Sequence, residues 1–106
     1  MADKNKISFD FDDTLSTEKG QALAARFIEE GKQVYIITRR QRSASSEVYA
    51  VADKLGIPHT MVFFTNGSWK WETVKRLGIG IHYDNNMDEI EKVRDNTDAE
   101  ARLFKS

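Results

Sequence analysis

The sequence has no cysteine, a single proline, no long apolar run and almost no net charge. Without cysteine, disulfides, zinc–thiolate sites and thiol nucleophiles are excluded. Sixteen Lys and Arg residues nearly balance 17 Asp and Glu residues, so bulk charge does not make the chain a ligand for polyanions. No segment has the length of a membrane span, and no N-terminal run resembles a signal peptide. The sequence predicts a cytoplasmic protein with no membrane partner.

The composition is that of an ordinary globular protein, with 40% hydrophobic and 31% charged residues in 106 positions. That length suits one domain with one core, so residues 1–106 are predicted to form a single domain. No internal repeat, low-complexity segment or interdomain linker interrupts it.

Strand-like and helix-like patterns alternate along the chain. Four β-branched or apolar runs predict strands, and a weaker fifth strand is expected at a sheet edge: 6–11, 33–38, 59–65, 79–83 and 99–104. Helices are predicted between them, over 17–30 and 44–55, from a turn at 66–68 to about residue 77, and from residue 87 onward. In the last helix, Asn86 is expected to act as N-cap with Glu89 in the capping-box position, and Met87, Ile90 and Val93 to form the apolar side. This alternation predicts an α/β fold, a three-layer doubly wound parallel sheet with helices on both faces and no additional domain.

In sheets of this kind, ligands bind at the carboxyl ends of the strands. Strand one leads into Asp10, Asp12, Asp13 and Thr14. Three carboxylates within four residues repel one another unless a cation joins them, and Mg²⁺ takes such oxygen ligands. The alternative is a solvated acidic turn, which the buried strand before the motif makes less favourable.

The other strand ends carry cationic and amide groups. Thr38 closes strand two, and three arginines follow it: Arg39, Arg40 and Arg42. A hydroxyl donor and cationic forks together suit a phosphate, although each is ordinary on a solvated loop. Lys70 is expected in the first turn of the third helix, and Asp84 and Asn85 follow strand four as oxygen ligands.

These positions, in this order, resemble the haloacid-dehalogenase-like superfamily. The stretch 7–15, ISFDFDDTL, is similar to its first motif, in which D-x-D-x-T follows a hydrophobic strand. Thr38 matches the second motif, Lys70 the third, and Asp84-Asn85 the fourth, in which an acid more often stands where Asn85 is. The chain has no room for a cap domain. The resemblance therefore implies the small, capless type of phosphatase, whose open site often takes large phosphorylated substrates.

The resemblance also implies a mechanism for a Mg²⁺-dependent phosphomonoester hydrolase. Asp10 would attack phosphorus and form an aspartyl-phosphate, and Asp12 would act as general acid and base. Thr38 and Lys70 would bind the phosphoryl oxygens. Arg39, which follows Thr38, is also predicted to bind the substrate. The metal set implied is Asp10, Asp12, Asp84 and Asn85. Thr14 would organise the loop.

Two other functions and one substrate class remain open from the sequence. The domain could bind phosphate or Mg²⁺ as a regulatory or structural module with little turnover. A response-regulator receiver domain shares several of these features, but its phosphoacceptor normally ends strand three, where this sequence has Phe63-Phe64-Thr65. Trp69 beside the three arginines suits a nucleotide or the phosphorylated end of a nucleic acid, through phosphate contacts and base stacking.

Overall fold

A computed structural model describes residues 2–106, in which five strands alternate with four helices. The elements in chain order are β1 Asp3–Phe9, α1 Glu18–Glu29, β2 Gln33–Thr38, α2 Ser46–Leu55, β3 Val62–Phe64, α3 Trp71–Leu77, β4 Ile79–Asp84, α4 Met87–Asn96 and β5 Glu100–Leu103. Every strand pairing is parallel. Within the described part of the chain, no helix is both long and apolar enough to cross a membrane.

The order of the strands across the sheet is β3-β2-β1-β4-β5. The chain moves outward from β1 through β2 to β3, and then crosses back to place β4 on the other side of β1. Strand order thus reverses between β1 and β4, and a crevice forms at the carboxyl ends of strands where such a reversal occurs. Both strands are buried where they approach this edge.

The helices cover both faces of the sheet. On one face, Ile7, Phe9 and Ile36 pack with Ala24 of α1 and Val48 of α2. On the other face, the core joins residues of α3 and α4 to strand residues, among them Ile37, Val74, Ile79, Ile90 and Ala101. The adjacent residues Ile36 and Ile37 of β2 pack on opposite faces of the sheet, because successive side chains of a strand point in opposite directions. The three-layer, all-parallel α/β architecture predicted from the sequence is confirmed.

Several predicted boundaries were wrong. The third strand was expected over 59–65, but His59–Met61 form a 3-10 turn and only Val62–Phe64 pair with β2. The first strand begins and ends earlier than predicted, at Asp3–Phe9, so Asp10 follows the strand directly. The β-branched run of β2 and the weak edge strand β5 lie close to where the sequence placed them.

Two predictions at helix starts also need correction. Helix α3 begins at Trp71, so Lys70 is its N-cap residue rather than a member of the first turn. Asn86 caps α4 by accepting from the Asp88 amide, as predicted, but Glu89 does not complete a capping box. Glu89 is instead fully buried and accepts from the Lys70 amide at 3.1 Å. Met87 is 43% exposed and does not join the apolar side of α4.

Candidate active site

The first site residue, Asp10, is placed by the end of the buried central strand and by the turn after it. In this turn, Phe11–Leu15, Asp12 is extended and Asp13 takes a left-handed conformation with φ 60°. The Leu15 amide donates back to the Asp10 carbonyl at 3.1 Å, which closes the turn. A Cβ at Gly20 would lie 2.0 Å from the Thr14 carbonyl oxygen, so only glycine lets α1 pack this closely against the turn.

Lys70 reaches the same point from the other side of the sheet. Its Nζ donates to Asp10 Oδ1 and to Asp84 Oδ2, each at 2.7 Å. The lysine side chain is 3% exposed, and the two carboxylates are similarly buried. The structure therefore brings together three of the residues proposed from sequence, one from the end of β1, one before α3 and one at the end of β4.

Burial and the neighbouring charges have opposite effects on the pKa values of the triad formed by Asp10, Lys70 and Asp84. Burial raises the pKa of Asp10 to about 6, against the opposing effect of Lys70. Burial also acts to lower the pKa of Lys70, but the charges of Asp84 and Asp10 outweigh it and the net pKa is raised. For Asp84, burial is outweighed by the hydrogen bond from His82 and by Lys70, and its pKa is lowered. Lys70 thus stays cationic, Asp84 stays anionic, and Asp10 is the carboxylate closest to neutrality.

A buried hydrogen-bond chain extends behind Asp84. His82 Nε2 lies 2.9 Å from Asp84 Oδ2, and His82 Nδ1 lies 2.6 Å from Ser8 Oγ. Because a carboxylate only accepts, Nε2 donates to Asp84 and Nδ1 accepts from Ser8. Asp84 Oδ1 accepts from the Asn86 amide at 3.1 Å, so both oxygens of Asp84 are used within the protein.

Sequence reasoning missed His82, Ser8 and Glu89. One signal was available for His82, since side chains two apart on a strand share a face and His82 precedes Asp84 by two. A histidine inside an apolar strand, on the same face as a site carboxylate, indicates a polar network that holds that carboxylate.

Replacing this histidine should destabilise the fold. His82→Phe removes one donor to Asp84 and leaves the buried Ser8 hydroxyl without its acceptor, so we expect a loss of about 1–3 kcal/mol in the free energy of unfolding, measured with urea. Ser8→Ala removes only the outer group and should lose about 1 kcal/mol or less. Equal losses in the two variants would contradict the chain of bonds described above.

Oxygen atoms converge on the solvent side of Asp10. In one orientation of its amide, Asn85 places Oδ1 2.8 Å from Asp10 Oδ2 and 3.2 Å from the Asp12 carbonyl oxygen; in the other, Nδ2 donates to both. With Nδ2 inward the amide satisfies both oxygens; with Oδ1 inward three acceptors would face one another, an arrangement that a bound cation would stabilise. A carboxylate, a carbonyl and an amide oxygen form the hard-oxygen set that Mg²⁺ prefers, so the residues present fit this ion.

The metal ligands expected from the sequence divide into two groups. Asp84 is turned to Lys70 and His82, so Asn85 rather than Asp84 is the ligand that the geometry favours. Asp12 can contribute its carbonyl but not its side chain, which contacts Arg40. Among residues 2–106, no three Asp, Glu or His side chains are grouped as a metal site, because Lys70 lies between Asp10 and Asp84.

Arg40 holds the side chain of Asp12. Arg40 Nη2 donates to Asp12 Oδ1 at 2.8 Å and Nε donates to Oδ2 at 3.1 Å, a two-pronged ion pair. The hydrogen bond from Arg40 holds the pKa of Asp12 below its usual range. Asp12 is 54% exposed in its side chain, so this pair lies at the mouth of the site.

The remaining residues proposed for phosphate or substrate binding lie around this mouth. Thr38 is buried at the end of β2, and its Oγ1 accepts from the Arg40 amide at 3.2 Å. Arg39 lies over the Trp69 ring at 5.0 Å and donates through Nε to the Gly67 carbonyl at 3.1 Å. Lys92 of α4 also lies over that ring, at 5.2 Å. Trp69 is therefore 39% exposed but already flanked by two cations.

Comparisons of the chain with protein-family models, with curated proteins and with solved structures found no match. The geometry of the site and the motifs that resemble the haloacid-dehalogenase-like superfamily are therefore the basis for a proposed function.

Proposed function

We propose that this protein is a capless phosphomonoester hydrolase of the haloacid-dehalogenase-like type, with Asp10 as nucleophile and Mg²⁺ as cofactor. The observation that carries the proposal is the Asp10 carboxylate at the reversal point of the sheet, with Lys70 on one oxygen and the oxygens of Asp12 and Asn85 beside the other. A carboxylate held between a buried cation and a set of hard oxygens is suited to attack an anionic phosphoryl group.

Each residue has a role that follows from its position. Asp10 has Oδ1 on Lys70 and Oδ2 beside the Asn85 amide, and its carboxylate is the group that attacks phosphorus. Lys70 neutralises charge as the phosphoryl group approaches, and its ammonium is fixed by Asp84 on the far side. Thr38, at the end of the neighbouring strand, donates its hydroxyl to a phosphoryl oxygen.

Asp12 is the proton donor to the leaving oxygen, and afterwards it accepts a proton from the water that hydrolyses the aspartyl-phosphate. Asp10, the Asp12 carbonyl and Asn85 would hold Mg²⁺. When bound, the ion would supply positive charge against the non-bridging oxygens of the phosphoryl group.

The first experiment is a screen for hydrolysis of phosphomonoesters, from nitrophenyl phosphate to nucleotides, phosphopeptides and phosphorylated oligonucleotide ends, with and without Mg²⁺. Release of phosphate that requires Asp10 supports the proposal. If the protein binds phosphate or Mg²⁺ but releases phosphate from no ester, it is instead a binding module, the second function considered. The Arg40–Asp12 ion pair, which holds the proposed proton donor, is compatible with that function.

Mg²⁺ should both activate and stabilise the protein. An ion that binds only the folded state stabilises it by about 2.7 kcal/mol at a concentration one hundred times Kd, because binding draws the folding equilibrium towards the folded state. Thermal melting with increasing Mg²⁺ should show a rising Tm, and the Asn85→Ala variant should show a much smaller rise. Full turnover in excess chelator, or an unchanged rise in Asn85→Ala, would contradict this metal site.

Substrate class is a further part of the proposal. Trp69, Arg39 and Lys92 form an aromatic and cationic surface beside the mouth, which suits a nucleotide or a nucleic-acid end. Catalytic efficiency on a phosphorylated oligonucleotide should exceed that on a sugar phosphate, with an advantage that shrinks as salt rises. Equal efficiencies that are insensitive to Trp69→Ala would contradict it.

A further inference from the structure

Arg40 engages the carboxylate that the proposed mechanism assigns as proton donor. Both oxygens of Asp12 accept from the guanidinium, through Nη2 at 2.8 Å and through Nε at 3.1 Å. The same guanidinium donates to the Ala44 carbonyl at 3.1 Å and lies 5.1 Å over the Phe11 ring. While this pair is intact, both oxygens of Asp12 are turned to Arg40 and Asp12 is held as an anion rather than as the acid that a leaving oxygen needs.

The position of Arg40 places its guanidinium on the leaving-group side of the site. Its backbone amide donates to Thr38 Oγ1, so the residue begins beside the proposed phosphoryl pocket, and its side chain then runs outward to Asp12. The phosphoryl group itself is enclosed by Asp10, Thr38 and Lys70, all buried. An anion that competes with Asp12 for Arg40 must therefore come from the leaving group.

Such an anion can displace Asp12. The side chain of Asp12 is 54% exposed, and that of Glu47, the other acidic contact of Arg40, is 73% exposed. Ion pairs with this much solvent contact are weak, whereas a phosphate offers the guanidinium two oxygens and a larger charge in the same forked geometry.

We propose that Arg40 is a specificity-determining residue that selects phosphomonoesters whose leaving group carries a second phosphate. That second phosphate takes the guanidinium from Asp12; the freed carboxylate takes up a proton from solvent and gives it to the leaving oxygen as the bond from that oxygen to phosphorus breaks. A monophosphate with a neutral leaving group has no second anion to bind Arg40, so Asp12 stays in its ion pair with Arg40. This inference depends on the proposed phosphatase activity and adds the chemical class of its substrate.

The test compares propanediol bisphosphate with propanediol monophosphate, which differ only in the second phosphate. In the wild-type protein with Mg²⁺, kcat/KM should be about tenfold or more higher for the bisphosphate, well above the roughly twofold advantage of having two equivalent ends. In Arg40→Gln the ratio should fall to about two, with the monophosphate hydrolysed faster than by the wild type because Asp12 is no longer held.

Arg42→Gln is the matched control, because it removes the same charge from the same loop and Arg42 lies over Phe64 rather than on Asp12. It should keep the wild-type ratio. If circular dichroism shows that Arg40→Gln does not fold, Arg40→Lys is the variant to use. Lysine keeps the positive charge and the aliphatic chain but not the two-pronged guanidinium, so the ratio of kcat/KM for bisphosphate over monophosphate should be intermediate.

The outcomes separate the two proposals. Hydrolysis of neither substrate by the wild type rejects the phosphatase. Hydrolysis of both with a ratio near two rejects only the role of Arg40. An unchanged ratio in Arg40→Gln, an equal loss on both substrates, or the same fall in Arg42→Gln also rejects that role.

Discussion

Asp10→Asn is expected to abolish turnover and, at the same time, to stabilise the fold above pH 6. The amide cannot attack phosphorus, so kcat should fall by about a thousandfold or more. The stabilisation follows from burial, which raises the pKa of Asp10 to about 6 from an ordinary value of 3.8. A raised carboxyl pKa means that the folded state holds its proton more tightly than the unfolded state does. Its contribution to stability is complete below about pH 4 and is lost as pH rises through 6.

The difference between these pKa values corresponds to about 3 kcal/mol at neutral pH, an upper bound for the effect of the variant. Urea unfolding in the absence of Mg²⁺ should therefore show wild type and Asp10→Asn close together near pH 4, and the variant more stable at pH 7.5. The asparagine can still accept from Lys70, so the triad keeps its geometry. Asp13→Asn, on the exposed part of the same turn, is the matched control and should change neither kcat nor stability strongly. A less stable Asp10→Asn at pH 7.5 would contradict the burial argument.

Lys70→Met is expected to have the largest effect on stability of any single change at the site. Methionine keeps the length of the side chain but leaves Asp10 and Asp84 buried beside each other without a cation. Removing one partner of a buried ion pair is destabilising by about 3–5 kcal/mol, because the remaining charge is left uncompensated. The loss should shrink as pH falls, since protonated carboxyls need no cation.

Two comparisons make this result specific. Lys75→Met removes an exposed lysine from the same helix and should change the free energy of unfolding by less than about 0.5 kcal/mol. The double variant Lys70→Met with Asp10→Asn should recover part of the loss, because only Asp84 then remains charged. A double variant that is less stable than Lys70→Met alone would contradict the account of a charge triad.

Sequence patterns predicted those features that depend on neighbouring residues. The run QVYIIT became β2 with its predicted bounds, because β-branched and apolar residues in a short run suit a strand buried on both faces. The first helix begins after Thr17, whose side chain accepts from the Gly20 amide, within one residue of its prediction. The third strand was overestimated, since HTMVFFT is mostly apolar or β-branched after the histidine, but residues 59–61 form a 3-10 turn before pairing begins.

Contacts between distant residues could not be predicted from such patterns. Lys70 was selected for its distance from a strand end, but the sequence does not determine that its ammonium would join Asp10 and Asp84, since that depends on the strand order. The hydrogen bonds of Arg40 to Asp12, 28 residues apart, and of Ser8 to His82, 74 residues apart, depend on the same packing. The sequence indicated which residues are candidates for chemistry, and the fold determined which of them touch.

The central position of β1 has a consequence for how the chain acquires its structure during synthesis. The segment that carries Asp10 is translated 60 residues before Lys70 and 69 before Ile79, the first residue of β4, the strand that pairs with the second edge of β1. A nascent chain that stops before β4 leaves an apolar strand edge unpaired, which is a template for association with other chains. Long-range pairing of this kind also slows folding. Folding of the sheet and assembly of the candidate site therefore depend on one late pairing, that of β1 with β4, and chains that lack β4 expose the edge of β1.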